Sequence, residues 1–411
     1  MSHELNINAL FALVRIGLWG HTETTETTER ISLEKVDWDE VLRLAQEQGV
    51  TGLVAQGIEN LNANLNFKVP QEVVLQFVGA TLQMEQRNKT MNSFIAETVE
   101  GLRKEGIYTL LVKGQGIAQC YEKPLWRPSG DVDFFLNNDD YEKAIAFLAP
   151  LASNSKPERR YSKEIGFYIN QFLVELHGTL RTGLSTRVDK VIDDVQREVF
   201  YEGKVRSTQF QVSSSKFQEG QNDNANLNGA SQGSKSVQVF MPGVDEDLFL
   251  VFTHFIKHFY KEGGVTLRQL CDWCRLLWTY KDKVNASLLE KRLRKAGLMA
   301  EWRAFAVVAV DLLGMPAEAM PLFNIIAIVN LNSKVAQKTQ NNYGSRFRVQ
   351  GSRLDKKVEK IVAFILKGGE WRKWRDTMTV ARIFPWSTLR FAPGILLSVT
   401  WMKVRERIFQ P

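Results

Sequence analysis

Apolar side chains recur at intervals of three and four residues over most of the chain. Near its start, Leu5, Leu10, Leu13 and Val14 follow this spacing. It is typical of amphipathic helices that pack one side against a core. The predicted helices span residues 5–19, 36–48, 50–60, 138–151, 245–260, 266–280, 285–296, 301–313, 354–366, 371–384 and 388–409, and one or two longer helices span 69–106.

The middle of the chain has short apolar runs in place of the helical spacing. Such runs, bounded by turn residues, predict strands. The clearest strand patterns span residues 107–112, 131–135, 165–170 and 172–177, and weaker ones span 199–210 and 237–240. Strands in the middle with helices on both sides predict an α+β fold, in which a small mixed β-sheet core is embedded in a mainly helical frame.

Polar stretches divide this pattern into parts. His21–Glu29 predicts an exposed loop, and Ser333–Gly351 predicts a polar linker. Residues 213–236 are rich in Ser, Asn, Gly and Gln and predict a mobile insertion, because they bury too little apolar area to offset their ordering entropy. The predicted parts are a helical region over 1–100, a core over 101–243, a helical domain over 244–332, and a linker with basic, aromatic helices over 333–411.

Composition narrows the class of protein. With 44% hydrophobic and 24% charged residues in 411, the chain has an ordinary globular composition. The net charge of +7 is a mild excess that suits an anionic ligand without requiring one. Three cysteines argue against a disulfide scaffold and for a reducing cytoplasm. We find no secretory signal and no apolar run near the roughly 20 residues that span a membrane.

Cys271 and Cys274 form one C-x-x-C pair within a predicted helix. A zinc site would need two further ligands. Packing in the core is the alternative, and the helical setting favours it.

The stretch from Ile107 to Phe135 carries the most specific chemistry. After the first strand and a glycine turn, the second strand holds Asp131 and Asp133. Side chains alternate along a strand, so both carboxylates project the same way. Burying them beside apolar neighbours is costly unless a cation neutralises them, and oxygen ligands suit Mg²⁺ or Mn²⁺. In the metal-free protein we expect Asp133→Ala to leave stability unchanged or to raise it, because it removes a like-charge clash.

The glycine turn reads Lys113-Gly114-Gln115-Gly116 and lies between a strand and a predicted helix. Its backbone N–H groups, together with the lysine, predict a phosphate-binding turn. Arg127 precedes the aspartates, and its guanidinium suits bidentate contact with phosphate. The alternative for Arg127 is an ordinary surface position.

Two further groups of residues are candidates for the site. Glu175 lies in an otherwise apolar strand and needs a partner, and His177 lies on the same face. His254, Lys257 and His258 share one helical face through their i, i+3, i+4 spacing. The alternatives are an edge-strand Glu175, a histidine that only supports a neighbour by hydrogen bonding, and a structural helix face. A zinc site of the H-E-x-x-H type is excluded because the glutamate is missing. We expect Asp272, on the next helix, to pair with one of these cations.

These residues resemble a known pattern. Val112-Lys113-Gly114, Arg127, Asp131–Leu136 and Val174–His177 are similar to the "LKG…R…DIDLLV…VELHW" motifs of a bacterial nucleotidyltransferase-like family, within the superfamily of the DNA polymerase β type. The resemblance covers roughly residues 105–180. The glycine turn departs from the Gly-Ser of the superfamily, and the gap to the aspartates is longer.

The resemblance implies an enzyme that transfers an NMP group from a nucleoside triphosphate (NTP) to a hydroxyl acceptor. Asp131, Asp133 and Glu175 would hold two divalent ions about 3.5–4 Å apart, Mg²⁺ or Mn²⁺. Lys113–Gly116, Arg127, His177 and the face of His254, Lys257 and His258 would contact the nucleotide. A nucleotide-binding regulatory or scaffold protein on the same fold, without turnover, is the alternative.

The C-terminal part interleaves tryptophans with basic residues, including Trp371, Trp374, Trp386 and Trp401. Weak contact with an anionic membrane surface is one interpretation of this pattern. Buried aromatic side chains with solvated charges are the other. The sequence shows no strong signal for nucleic-acid binding.

Overall fold

A computed structural model gives the fold of the chain. It describes residues 2–20, 35–64, 69–211, 236–261, 264–323, 355–366, 380 and 382–392. Within these ranges the protein combines many helices with one five-stranded mixed sheet and one two-stranded sheet. The predicted α+β fold class is therefore confirmed. The polar stretches over 21–29 and 333–351, residues 213–235, and most of the helices predicted after 366 lie outside the described residues.

The helices form the larger part of the fold, with an N-terminal group before the sheet and a second group after it. In chain order they are α1 (Ser2–Trp19), α2 (Trp38–Glu47), α3 (Thr51–Asn64), α4 (Gln71–Lys104), α5 (Gly114–Ala118), α6 (Asn138–Leu148), α7 (Thr186–Tyr201), α8 (Val244–Lys261), α9 (Leu267–Thr279), α10 (Ala286–Ala296), α11 (Met299–Val307) and α12 (Asp355–Leu366).

The strands are β1 (Leu110–Val112), β2 (Asp131–Phe135), β3 (Asn154–Arg159), β4 (Glu164–Ile169), β5 (Phe172–His177), β6 (Val205–Gln211) and β7 (Ser236–Pro242). The five-stranded sheet has the order β1-β2-β5-β4-β3, in which only β2 and β5 run parallel. Strands β6 and β7 form a separate antiparallel pair.

Strand β2 lies between two hydrophobic cores. Val132 and Phe134 point into a core that the sheet shares with α4 and α6. Their neighbour Phe135 points the other way, into the large core of the helical frame. Because Asp131 and Asp133 alternate with Val132 and Phe134, they lie on the face of β2 that meets the helical frame.

Most predicted elements agree with the structure, and one strand was wrongly predicted. The strand expected over 199–210 begins only at Val205, because residues 199–201 form the last turn of α7. Val188, Ile192, Val195 and Val199 are buried on one side of α7, whose start Ser185 caps with its side chain. The apolar residues at Val199 and beyond were therefore the last helical turn, misread as a strand.

Two further expectations concern cysteines and membranes. Cys271 and Cys274 are buried in the core of the helical frame, which agrees with the packing interpretation. Within the part of the chain that the structure describes, every helix is too short or too polar to cross a lipid bilayer.

Candidate active site

The parallel pairing of β2 and β5 builds the centre of the site. Asp133 lies opposite Glu175 in the ladder, and His177 lies opposite Phe135. Directly paired residues point to the same face of a sheet, so Asp131, Asp133, Glu175 and His177 all project toward the helical frame. All four line one cavity of about 300 Å³.

Three of these side chains come close enough to share an ion. Ligand atoms of Asp133, Glu175 and His177 all lie within 4.8 Å of one another. Asp131 lines the same cavity but lies outside that group. Sequence reasoning assigned His177 to the nucleotide and Asp131 to the metal. The structure places the histidine nearer to the two other carboxylates.

Lys113 provides a cation to Asp133. Its Nζ lies 2.8 Å from Asp133 Oδ1, and His177 Nε2 lies 2.7 Å from the same oxygen. Burial alone would lower the pKa of Lys113, yet that pKa is raised, because Asp133, Asp131 and Glu175 stabilise the charged ammonium. The backbone of Lys113 has φ 57° and ψ −146°, a conformation that costs a residue with a Cβ on the order of 1–3 kcal/mol.

The two aspartates have opposite pKa shifts. Burial alone would raise the pKa of Asp133, but Lys113 and His177 hold it well below its usual range. The pKa of Asp131 is raised, first by the charge of Asp133 and then by burial. Asp133 is therefore firmly ionised, whereas the negative charge of Asp131 is not neutralised by nearby cations. A divalent cation would neutralise that charge.

The glycine turn reaches the cavity only with its first two residues. Lys113 and Gly114 line it. Gly114 has φ +31°, and a Cβ there would lie 3.3 Å from Ser129 Oγ and 3.5 Å from Asp131 O, so the turn packs closely against the start of β2. Gln115 and Gly116 are buried away from the cavity lining, and Gln115 Nε2 donates a hydrogen bond to Asn88 Oδ1.

Arg127 lines the cavity, but its guanidinium already has a carboxylate partner. Its Nε and Nη2 each donate to Asp272 at 2.7 Å, and the Tyr121 hydroxyl donates to the same carboxylate. Arg127 is therefore neither an ordinary surface residue nor a free phosphate ligand. Asp272, which we expected to pair with a cation of α8, binds the Arg127 guanidinium through both of its oxygens.

The face of α8 predicted to line a cleft does lie at the cavity. His254, Lys257 and His258 all contribute to its lining. His258 Nε2 and His254 Nε2 are 3.0 Å apart, so one ring donates a hydrogen bond to the other. The pKa of His254 is far below its usual value, because of burial and the positive charge of Lys113 and its neighbours. His254 is therefore neutral near pH 7.

Sequence reasoning missed several residues of this wall. Arg268, near the start of α9, lines the cavity beside Arg159 and Glu164. Its Nη1 donates to Pro128 O, and its buried Nε has no hydrogen-bond partner among the described residues. The Thr266–Gln269 capping box fixes where α9 starts, but nothing in the sequence indicates that Arg268 faces β2.

Comparison with known proteins adds one finding. Residues 34–219 match the model of a family described as uncharacterised nucleotidyltransferase. The match supports a nucleotidyltransferase family for less than half of the chain. It includes Lys113, Arg127, both aspartates and Glu175, and it ends before α8 and α9. No curated protein and no solved structure matches the chain.

The C-terminal tryptophans are described in part. Trp386 is 76% exposed, in a helical stretch over 385–392. Trp371, Trp374 and Trp401 lie outside the described residues, so contact with a membrane surface stays a prediction.

Proposed function

We propose that this protein transfers an NMP group from an NTP to a hydroxyl-bearing acceptor. The observation that supports this most strongly is the cavity with two unlike walls. Asp131, Asp133 and Glu175 form the wall on the sheet, and Lys257 and Arg268 lie on the facing helices. A carboxylate wall suits divalent cations, and a basic wall suits the anionic phosphates they accompany.

The carboxylates of the site suit Mg²⁺ or Mn²⁺. Asp133, Glu175 and His177 offer two carboxylates and an imidazole close together, and the raised pKa of Asp131 reports negative charge that is not yet neutralised. These residues, with Asp131, would hold the metal. When bound, a divalent cation supplies Lewis-acid polarisation of phosphate oxygens and lowers the pKa of a coordinated hydroxyl.

The protein's own groups would position the reactants. Glu175 is the candidate base for the proton of the acceptor hydroxyl, whose oxygen attacks the α-phosphorus as pyrophosphate leaves. Lys257 and Arg268 would stabilise the negative charge that grows on the leaving pyrophosphate. Arg127 would act differently, because its bidentate pair with Asp272 ties the loop before β2 to α9.

The acceptor is a hydroxyl compound of unspecified class, so the first test should not depend on it. We would titrate a non-hydrolysable NTP analogue into the protein by calorimetry, with Mg²⁺, with Mn²⁺ and with EDTA. Binding that requires the cation and is lost in Asp133→Asn and Glu175→Gln supports the proposal. Asp139→Asn, at an exposed position in the first turn of α6, is the matched control and should bind as wild type does.

Turnover needs a second measurement. We would incubate the protein with each α-labelled NTP, Mg²⁺ and pooled hydroxyl acceptors, and follow labelled product and released pyrophosphate. Release that depends on Asp133 supports nucleotidyl transfer. Tight binding of NTP with no release from any mixture would overturn it in favour of a regulatory or scaffold protein.

A further inference from the structure

One lateral row of the five-stranded sheet runs from its edge to the candidate site. In the ladders, Lys156 of β3 is paired with Gly166 of β4, and Gly166 is paired with Glu175 of β5. Glu175 is in turn opposite Asp133 of β2. Directly paired residues share a face, so the row places a lysine, a glycine and two carboxylates side by side.

The glycine allows the lysine to reach past its neighbouring strand. Lys156 Nζ lies 2.8 Å from Glu175 Oε1, although β4 separates their strands. A Cβ on Gly166 would lie 3.1 Å from Lys156 Cδ and 3.2 Å from Leu173 Cδ1, so the lysine chain lies directly over the glycine. A Cβ at this position would make the lysine chain or Leu173 move by a few tenths of an ångström.

The edge of the sheet is shaped around this contact. The register of β3 against β4 shifts between Lys156 and Arg159, the segment that contains Pro157. Bulges of this kind re-aim side chains next to functional sites. The lysine side chain is 41% exposed and that of the glutamate 15%. The glutamate lines the cavity, so the lysine contacts it from the more exposed side.

We propose that Lys156 is a positioning residue that holds the Glu175 carboxylate at the cavity and competes with a divalent cation for it. This rests on the proposed function, in which Glu175 is both a metal ligand and the candidate base. In the metal-free protein two lysines then neutralise two carboxylates of the site. Lys113 Nζ lies 2.8 Å from Asp133, and Lys156 Nζ lies 2.8 Å from Glu175.

If Lys156 and Glu175 formed only an ordinary surface ion pair, the expected results would differ from those of our proposal. Such a pair stabilises the fold by little and has no effect on metal affinity. If the lysine competes for Glu175, its removal should strengthen metal binding, because one positive charge is lost beside the site. Removal should also slow any transfer step, because Glu175 is no longer held in place.

The first experiment measures Mn²⁺ binding by the loss of the free-ion signal in electron paramagnetic resonance. Lys156→Met should bind Mn²⁺ roughly two- to fivefold more tightly than wild type, the size of a lost ion pair at a partly exposed site. Lys156→Arg should restore the wild-type affinity. Gly166→Ala, which moves the lysine by a few tenths of an ångström, should shift the affinity in the same direction as Lys156→Met but less. Lys143→Met, an exposed lysine on α6, is the matched control.

A second measurement separates this inference from the proposed function. Urea unfolding of Lys156→Met, Glu175→Gln and the double variant in EDTA forms a double-mutant cycle that needs no metal and no substrate. We expect the lysine substitution to lower the midpoint in the wild-type background and to leave it unchanged beside Glu175→Gln. The absence of coupling would overturn the positioning role whatever the enzyme does.

The remaining outcomes are also decisive. Unchanged or weaker Mn²⁺ binding in a folded Lys156→Met protein overturns the competition between lysine and metal. A wild-type protein that binds neither Mn²⁺ nor Mg²⁺ overturns the proposed function instead, and coupling in the cycle would then still support Lys156 as the residue that positions Glu175.

Discussion

At the scale of single residues, the two aspartates of β2 should respond oppositely to loss of charge. Asp133 accepts hydrogen bonds from Lys113 and lies 2.7 Å from His177. Asp133→Asn weakens both contacts and leaves a largely buried ammonium without its counter-ion, so we expect a loss of about 1–3 kcal/mol in unfolding free energy. Asp131→Asn removes a like-charge repulsion and should leave stability unchanged or raise it.

Chemical unfolding in EDTA checks this pair of variants, each against wild type. Equal effects of the two substitutions would contradict the asymmetry of charge described above. From the sequence we expected the opposite for Asp133→Ala, because the Asp-x-Asp pattern indicates a clash between carboxylates. The contact between Lys113 and Asp133 depends on the fold.

Substitution of Arg268 should affect triphosphate binding, and substitution of Arg127 should affect stability. Arg268→Met should weaken binding of inorganic triphosphate several-fold and lower stability only by about 0.5–1.5 kcal/mol, because it removes one hydrogen bond, from Nη1 to Pro128 O. The buried Nε has no further partner to lose among the described residues. The effect should shrink at high salt, since the contact is electrostatic. Arg127→Met should instead lower stability by about 3–5 kcal/mol, because it leaves the buried Asp272 carboxylate without its cation.

Calorimetry at two salt concentrations measures the first effect, and urea unfolding measures the second. Triphosphate affinity that depends on Arg127 and not on Arg268 would reverse the roles we assign. The Arg127 position was visible in the sequence, but its pairing with Asp272 of α9 joins residues 145 apart in the chain and follows only from the fold.

The carboxylates could be predicted from the sequence because their information is local. An Asp-x-Asp pair in a strand fixes its own geometry, and a glutamate in an apolar strand calls for a partner. Lys156 and Arg268 could not be predicted in the same way. Their roles depend on which strands pair, in which register, and on how α9 packs against the sheet.

At the scale of elements, the hairpin of β6 and β7 allows a sharp test of the predicted insertion. Gln211 is paired with Ser236 in the ladder, so the two strand ends are already adjacent. Ser236, the last residue of the predicted insertion, belongs to β7. Replacing residues 212–235 with Asn-Gly, which favours a two-residue hairpin turn, should change the unfolding midpoint little.

Thermal unfolding of the shortened protein, with Mn²⁺ binding as a second readout, checks the expectation. A midpoint lowered by more than a few degrees, or loss of soluble expression, would show that the insertion contributes contacts to the fold. Gln209→Val, in the middle of β6, is the comparison variant, because it changes the strand and leaves the connection between β6 and β7 intact.

Elements with a strong helical or alternating pattern could be predicted from the sequence. The boundary between α7 and β6, and the register between strands, could not. Strands β4 and β5 agree with their predicted bounds to within one residue. Helix α7 was missed because its polar face is rich in charge, and only its final apolar residues were read, as a strand. The register between β2 and β5, which creates the site, follows from packing across the sheet and is absent from any single segment.

At the scale of the whole molecule, one hydrophobic core joins every predicted part of the chain. It contains side chains from α1, from β1, from α8 and α9, and from α12. The division into four parts remains a prediction. A shared core means, however, that the helical frame should respond to a perturbation as one unit.

Alkaline pH is such a perturbation, because this core contains ionisable groups held in their neutral form. Burial raises the pKa of the Cys120 thiol to about 11 and raises those of Cys271 and Cys274 further. Burial likewise raises the pKa of the Tyr121 and Tyr260 hydroxyls. In the unfolded chain thiols ionise near pH 8.5 and phenols near pH 10.

The sign of the effect follows from proton linkage. Above about pH 8.5 the unfolded chain binds fewer protons than the folded one, so unfolding becomes more favourable as pH rises. Cys120 alone should remove on the order of 3 kcal/mol of stability between pH 8.5 and pH 11. Urea unfolding across this range should show a steady decline, and Cys120→Ala should make the decline shallower. A flat profile would contradict the prediction and would mean that water reaches these thiols in the folded protein. Rapid reaction of Cys120 with a thiol reagent at pH 8 would show the same exposure directly.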